Sequence, residues 1–346
     1  MPSVLELISD KDRLDFSQNY SVRRNYVGDV LFPDVKTENL EAEYEILSNG
    51  MHLPTAAKIH ALDSEAVIGE RPAVTKVSVE KLLIKEKINQ SEKMQYLENR
   101  GVKAGSLLKY VFADMDHLAD AVKVRTEIAK MDVLSKGNMV INENNVSMTI
   151  DYGIASPTAI TGWNDPTHDI LGDIETLIAL AKAKGIIVNR AITSGKMLSY
   201  MLKNQAIIKM VRVTDNVAGM RATKSQLSAL MTELYGITII VNDDTYGVAN
   251  ATNTARVATR FFDEDVFTVF STVGTNAAGT GLWGVTPEER AQGAFTEKSQ
   301  KQFITITQWA TPDPVAEWTK ASGLFIPVVP NPDGIIIGSH TASTGA

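Results

Sequence analysis

Cysteine is absent from the 346-residue sequence. That absence removes disulfide scaffolds, thiolate zinc sites, iron–sulfur clusters and cysteine nucleophiles together. Histidine is scarce: His52, His60, His117, His168 and His340 are the five, and none stands in H-x-x-x-H or H-E-x-x-H spacing. Two imidazoles on one helix face, the usual start of a zinc site, are therefore not expected. No run approaches the roughly 20 apolar residues of a membrane span, and MPSVLELISDKDRLDF lacks the basic, apolar, small-residue order of a secretory signal, so the protein is expected to stay in the cytoplasm or to reach its destination without a secretion signal. Positive charge is the minority, with 34 Lys and Arg against 41 Asp and Glu, a net of −7. Together with a pI near 5.4, this argues against a protein whose main surface grips nucleic acid phosphates.

What is present is the composition of a globular protein: 44% hydrophobic and 22% charged residues, mean hydropathy −0.06. The length exceeds the roughly 250–300 residues at which single cores stop growing, which predicts two lobes or a body with extensions.

Residues 1 to about 45 mix Phe16, Tyr20, Tyr26, Phe32 and Tyr44 with five basic and ten acidic residues and keep no period of 3.6 or 2. They read as an extended arm whose aromatic rings dock on another surface, or as a terminus with a short helix at Val4 to Ile8. From about 46 to 88 the alternation in Glu43 to Leu47 and Val74 to Val79 predicts two strands of a projecting hairpin. An isolated two-stranded ribbon is marginal in water. The strongest helix is expected over about 106 to 135, with Leu108, Val111, Phe112, Met115, Leu118, Ala119 and Val122 on one stripe continued by Ile128, Met131 and Leu134. Gly137 is its stop. At roughly 45 Å it is a spine.

From about 165 the punctuation is that of an α/β unit. Asp165-Pro166 is expected to open a helix with inner face Ile170, Ile174, Leu177, Ile178 and Ala181, ended by Gly185 before a strand at Ile186 to Val188. A helix over Met197 to Leu202 follows. Thr223 or Ser225 caps a helix carrying Leu227, Leu230, Met231 and Leu234, stopped by Gly236 ahead of a strand at Ile237 to Val241 and a turn at Asn242-Asp243-Asp244. Phe267 to Phe270 is a short apolar run, 271 to 284 a Gly, Thr and Ala loop, and Ile304 to Ile306, Leu324 to Val329 and Ile335 to Ile337 are strands of a tail punctuated by prolines.

Gly279-Thr-Gly281-Leu-Trp-Gly284 fits G-x-G-x-x-G, but Pro287 and not the third glycine opens the next helical stretch and no βαβ unit surrounds it. A flexible loop is expected. Ser194-Gly195-Lys196 has Arg190 and Met197 where a phosphate loop needs Gly and Ser or Thr, so it reads as a strand-to-helix turn. Ser78-Val-Glu-Lys81 lies in a strand pattern without partner motifs. His117 with Asp114, Asp116 and Asp120 covers the polar side of a helix, and Asp243-Asp244 marks a turn rather than a magnesium site. No nucleophile stands with a base. Neither catalysis nor a cofactor is expected.

An aromatic arm, a hairpin, a spine, an α/β unit and a β tail without chemistry suggest an assembly subunit. In this order the sequence resembles the major capsid proteins of tailed bacteriophages, specifically the lambda-type major capsid protein E family. Three passages carry the likeness: Phe32-Pro33 through Gly50-Met51-His52-Leu53-Pro54 to Arg71-Pro72; the long helix with Asp165-Pro166-Thr-His-Asp169 and Gly185 to Val188; and Asp313-Pro314-Val-Ala-Glu317 with Pro330-Asn-Pro332-Asp333. The resemblance implies an α+β fold of the Hong Kong 97 capsid type. It divides the chain into an arm (1–45), an extended loop (46–88), a peripheral domain with the spine (89–165), an axial domain (166–295) and returning strands with the C-terminal tail (296–346). It implies hexamers and pentamers of an icosahedral shell that encloses double-stranded DNA without sequence-specific binding and involves no membrane. The implied partners are copies of itself, a scaffolding protein, a portal and a decoration protein, with assembly in the bacterial host cytoplasm and a final place in the virion. Expected contacts between subunits are Phe16, Tyr20, Tyr26, Phe32, Arg71 at the hairpin base, and the 271 to 284 loop. An encapsulin-like compartment shares the fold, and an NAD-dependent enzyme using Gly279 to Gly284 is the rival from another class.

Overall fold

A computed structural model describes residues 25–47, 52–53, 56–57, 59, 74–91, 104–212, 219–249, 256–274, 277–291, 297–313 and 315–342. In chain order these form α1 (Val27–Leu31), β1 (Asp34–Lys36), β2 (Glu41–Leu47), β3 (Val74–Glu80), β4 (Leu82–Ser91), α2 (Ala104–Lys136), β5 (Asn138–Glu143), β6 (Val146–Asp151) and β7 (Thr158–Thr161). There follow α3 (Ile170–Ala183), β8 (Arg190–Thr193), α4 (Gly195–Lys203), α5 (Gln205–Arg212), α6 (Lys224–Tyr235), β9 (Thr238–Val241), β10 (Thr245–Ala249) and β11 (Arg256–Arg260). The chain closes with β12 (Val266–Phe270), β13 (Thr280–Gly284), α7 (Pro287–Arg290), β14 (Glu297–Lys301), β15 (Ile304–Pro312), β16 (Val315–Val328) and β17 (Ile335–Thr341).

The apolar stripe produces its spine. Helix α2 runs for 33 residues, about 50 Å, and buries Met115, Leu118, Ala119, Val122, Met131 and Leu134. Leu108 and Val111 lie outside the described side chains. The helix stops at Gly137, whose φ of +76° suits a residue without Cβ and whose N–H donates to the Val133 carbonyl.

Two sheets meet the spine. In the first, the order β1-β13-β16-β15-β14 is joined by β4, which pairs antiparallel with β16 from Leu82↔Phe325 to Ser91↔Ala316. The second has the order β7-β17-β12-β8-β9. The mostly apolar strands at its centre follow from burial on both faces, and Thr268 within β12 donates its hydroxyl to the Leu134 carbonyl. Val266 and Phe270 of β12 and Ile335 and Ile337 of β17 face the core shared with the spine. Phe267, Val269 and Ile336 face a second core built on α3, α4 and α6. The two cores therefore share one sheet as their wall.

The hairpin forms as β2 against β3, from Glu41↔Glu80 to Leu47↔Val74. β4 continues beyond it into the first sheet, so the ribbon is rooted in the body of the protein.

Several local expectations shift by a few residues for identifiable reasons. Helix α3 begins at Ile170 because Asp165 accepts hydrogen bonds from the Thr167 N–H and hydroxyl, holding 165–167 as a turn, while Asp169 accepts from the Gly172 N–H and caps the helix. Ile186 to Val188 is not a strand: the Ile186 N–H returns to the Ala181 carbonyl and pairing starts at Arg190. Helix α6 is capped by Thr223 in a reciprocal box with Gln226 and ends at Gly236 in the left-handed conformation. The turn at 242–244 leads into the antiparallel β10–β11 pair, which no local pattern in the sequence marks.

Candidate functional site

The expected contact residues separate. Phe16, Tyr20 and Arg71 lie outside the described residues, as does the helix expected at Val4 to Ile8. Tyr26 is half-buried and meets Phe261 edge-on, with ring centroids 5.6 Å apart. Phe32 is 0% exposed. Its ring fills the main core of its own chain, which corrects its expected place at a subunit contact.

Phe32 is inside because the passage after residue 26 is woven into the body. β1 runs parallel to β13, pairing Asp34 with Gly281 and Lys36 with Trp283. The Ala278 and Gly279 N–H groups both donate to the Leu31 carbonyl, and Gly281 N–H to that of Pro33.

The Gly279 to Gly284 stretch is accordingly a paired strand and not a flexible loop. A Cβ on Gly279 would overlap the Phe32 ring and the Val328 carbonyl; on Gly281 it would meet Asp34 and the Phe325 ring; on Gly284, the Leu324 side chain. These glycines admit neighbouring side chains and backbone. The helix that follows, α7, has four residues and is opened by Thr286 and Pro287 and not by the third glycine, and the dinucleotide reading falls. Gly279→Ala is expected to lower the urea midpoint of the unassembled subunit, costing about 1–3 kcal/mol or more through overpacking. An unchanged midpoint would show that the fit is loose.

A buried polar clasp fastens this passage to the spine. Lys123, Glu127 and Lys130 recur at i, i+4 and i+7 of α2. Lys130 has no exposed side-chain area and its Nζ lies 2.8 Å from Asp29 and 2.9 Å from Asp34. The Gly28 N–H donates to Glu127 Oε1 at 3.0 Å, and a Cβ at Gly28 would collide with that carboxylate. Burial raises the Glu127 carboxyl, against the lowering by Gly28 N–H and Lys130, to about 7. Burial likewise lowers Lys123. The sequence signal for this clasp is four charges, Lys123, Arg125, Glu127 and Lys130, inside a helix stretch whose neighbours at 118–122 and 131–134 are all apolar or small except two aspartates.

Glu127 binds its proton more tightly folded than unfolded. Its contribution is present below its unfolded value of 4.5 and is lost as pH rises from there to about 7, by at most about 3 kcal/mol. Glu127→Gln should flatten that limb of a stability-against-pH curve; a variant as steep as the parent would assign the slope elsewhere.

A second anchor lies where α7 covers the first sheet. Burial alone would raise Glu288, but hydrogen bonds from Lys320 and Lys85, both 2.8 Å away, hold its pKa at about 2. Beside it a groove of ≈ 650 Å³ is lined by Leu40, Lys81, Leu83, Pro287, Arg290 and Leu324, among others. Lys81 at its floor is already bonded to the Thr37 hydroxyl and the Asn39 carbonyl. The groove presents a mostly apolar wall, with Glu38, Glu80 and Arg290 also lining it.

Histidines serve structure in the same way. His168 Nε2 and Trp163 Nε1 both meet Asp173 Oδ2, at 2.9 and 2.7 Å, which orients Trp163 against Phe267. Ser194 caps α4 as the strand-to-helix turn requires, and Asp243 accepts from Gly195 N–H and Arg260 in the expected turn. Among the described residues no group of three or more His, Asp or Glu side chains is placed to hold a metal ion.

Two solved structures share this fold. One is a prophage protein of Escherichia coli CFT073 described as a capsid protein, 14% identical, with a TM-score of 0.60 over 96% of this chain and 99% of that one. The other is a phage-related protein of Bordetella bronchiseptica RB50, 11% identical, with a TM-score of 0.54 over 95% and 96%. No curated protein matches the sequence. The mixed α+β arrangement is that of the Hong Kong 97-type capsid proteins. The sequence matches phage major capsid protein E over residues 17–339, nearly its whole length, and a body held by interlocked strands and buried ion pairs agrees with that match: the chain belongs to the phage major capsid protein E family, a structural component of the virion and not an enzyme.

Proposed function

We propose that copies of this chain assemble as hexamers and pentamers into an icosahedral shell enclosing double-stranded DNA. The family match over residues 17–339 carries the proposal. The β2–β3 ribbon supports it, because two strands without a core of their own gain most when a second surface covers them. In this reading residues 1–45 begin as an arm and 46–88 form the extended loop over an adjacent subunit. Residues 89–165 with 296–346 make the peripheral domain, and 166–295 the axial domain near the shell's symmetry axes. Tyr26, with Phe16, Tyr20 and Arg71, remains a proposed contact with neighbours. A scaffolding protein and a portal direct assembly in the host cytoplasm, and a decoration protein is a further partner.

Expressing the full chain alone and viewing it by negative-stain electron microscopy tests the proposal. Closed shells or capsomer rings are the expected result. A chain that stays monomeric at every concentration and salt, with scaffolding protein added, would overturn it.

A further inference from the structure

The net charge of −7 conceals an asymmetry. Between Thr176 and Thr232 the sequence carries nine Lys and Arg against one acid, Asp215, a local +8 that leaves −15 for the rest. Folding concentrates part of this. The Ala222 N–H donates to the Leu202 carbonyl, bringing Lys203 at the end of α4 beside Arg221. Arg212 at the end of α5 donates to the Arg221 carbonyl at 3.0 Å. Lys209 stands one turn before Arg212, and Lys224 opens α6.

Several buried or half-buried cations elsewhere are matched by carboxylates: Lys36 by Glu289, Lys130 by Asp29 and Asp34, Lys184 by Asp333, Lys196 by Asp265, Lys320 by Glu288, while buried Lys81 is held by neutral oxygens of Thr37 and Asn39. Among the described residues Lys203, Lys209, Arg212, Arg221 and Lys224 have no ion pair of this kind, and all but the half-buried Lys203 are exposed. Like charges gathered around Arg221 repel one another, with Asp243 acting on Lys224 at the margin, so a polyanion from outside the subunit is what this face fits.

We propose that the face formed by Lys203, Lys209, Arg212, Arg221 and Lys224 binds the phosphate backbone of the duplex DNA inside the shell. The inference rests on the capsid reading for the presence of DNA. Lysine is depleted at protein–protein interfaces and makes up three of the five cations. Cations clustered along helices are, by contrast, the footprint of phosphate binding. Contact through phosphates alone carries no sequence preference. An otherwise acidic subunit keeps the rest of its surface from adding to the grip.

The test titrates the full-length chain into a short fluorescent duplex. Five phosphate contacts predict an affinity falling roughly 500-fold between about 50 and 200 mM salt. Lys209→Glu/Arg212→Glu/Arg221→Glu should bind at least about tenfold more weakly, with a salt slope smaller by about 3. Lys76→Glu/Lys87→Glu/Arg256→Glu makes the same charge change on other elements and should stay near the parent. The Gln version of the first triple, less disruptive to folding, should fall between. Equal losses in both triples would overturn the inference by making net charge the cause. So would unchanged DNA affinity accompanied by failed shell assembly, since the face, which includes exposed Met210 and Met220, would then join copies of the chain. Failure of the parent to form shells strikes the capsid reading instead, and the two failures stay distinguishable.

Discussion

Lys130→Met is expected to destabilise the unassembled subunit by about 3–5 kcal/mol, because removing one partner of a buried ion pair strands the others. Asp29 and Asp34 would then face each other across a vacated site that 2.8 and 2.9 Å contacts now close. Their side chains keep 38% and 20% exposure, so water recovers part of the loss and the lower end of the range is the better expectation. The effect should be non-additive: adding Asp29→Asn and Asp34→Asn to Lys130→Met should cost less than the separate changes together. Urea unfolding of the three-variant cycle measures this. Full additivity would mean that the clasp is a crowd of independent charges and not a unit joining the N-terminal passage to the spine.

Phe32→Ala is expected to cost about 3–5 kcal/mol in the subunit before any assembly, the usual penalty of deleting a fully buried ring. The ring meets Gly279, whose absent Cβ makes room for it, so Phe32→Ala should also soften the penalty of Gly279→Ala when the two are combined. A residue at a subunit contact behaves differently: its loss leaves the isolated subunit's unfolding curve in place and raises the concentration needed for shells. Tyr26→Ala should lie between these extremes, since its ring meets Phe261 and is half-buried. An unmoved melting temperature for Phe32→Ala, coupled to failed assembly, would return Phe32 to the interface.

The two residues show why a sequence reading of aromatic contacts has limited reach. Tyr26 and Phe32 stand in one aperiodic, charged passage, and an aromatic ring there gains by burial wherever it finds a surface. Whether that surface belongs to the same chain depends on a parallel pairing with β13, about 250 residues away in sequence, which no local pattern announces. The same pairing explains Gly279 and Gly281, and the pairing of β13 with β16 explains Gly284, a triplet that local spacing alone likens to a phosphate loop.

Where the determining interactions are local, the sequence suffices. The spine follows from its apolar period and Gly137, α6 from Thr223 and Gly236, and the strands at Phe267 to Phe270 and Ile335 to Ile337 from their density of apolar residues, because side-chain direction repeats with the backbone. The order of these elements with the proline-marked passages also carried the family. Tertiary structure alone decided the rest: the clasp of Lys130 and Glu127 on the N-terminal passage, the setting of Phe32 in the core, and the gathering of Lys203, Arg212 and Arg221 on one face. Burial and charge density are properties of surfaces brought together from distant segments, and a linear pattern of charges has no surface until the chain has folded.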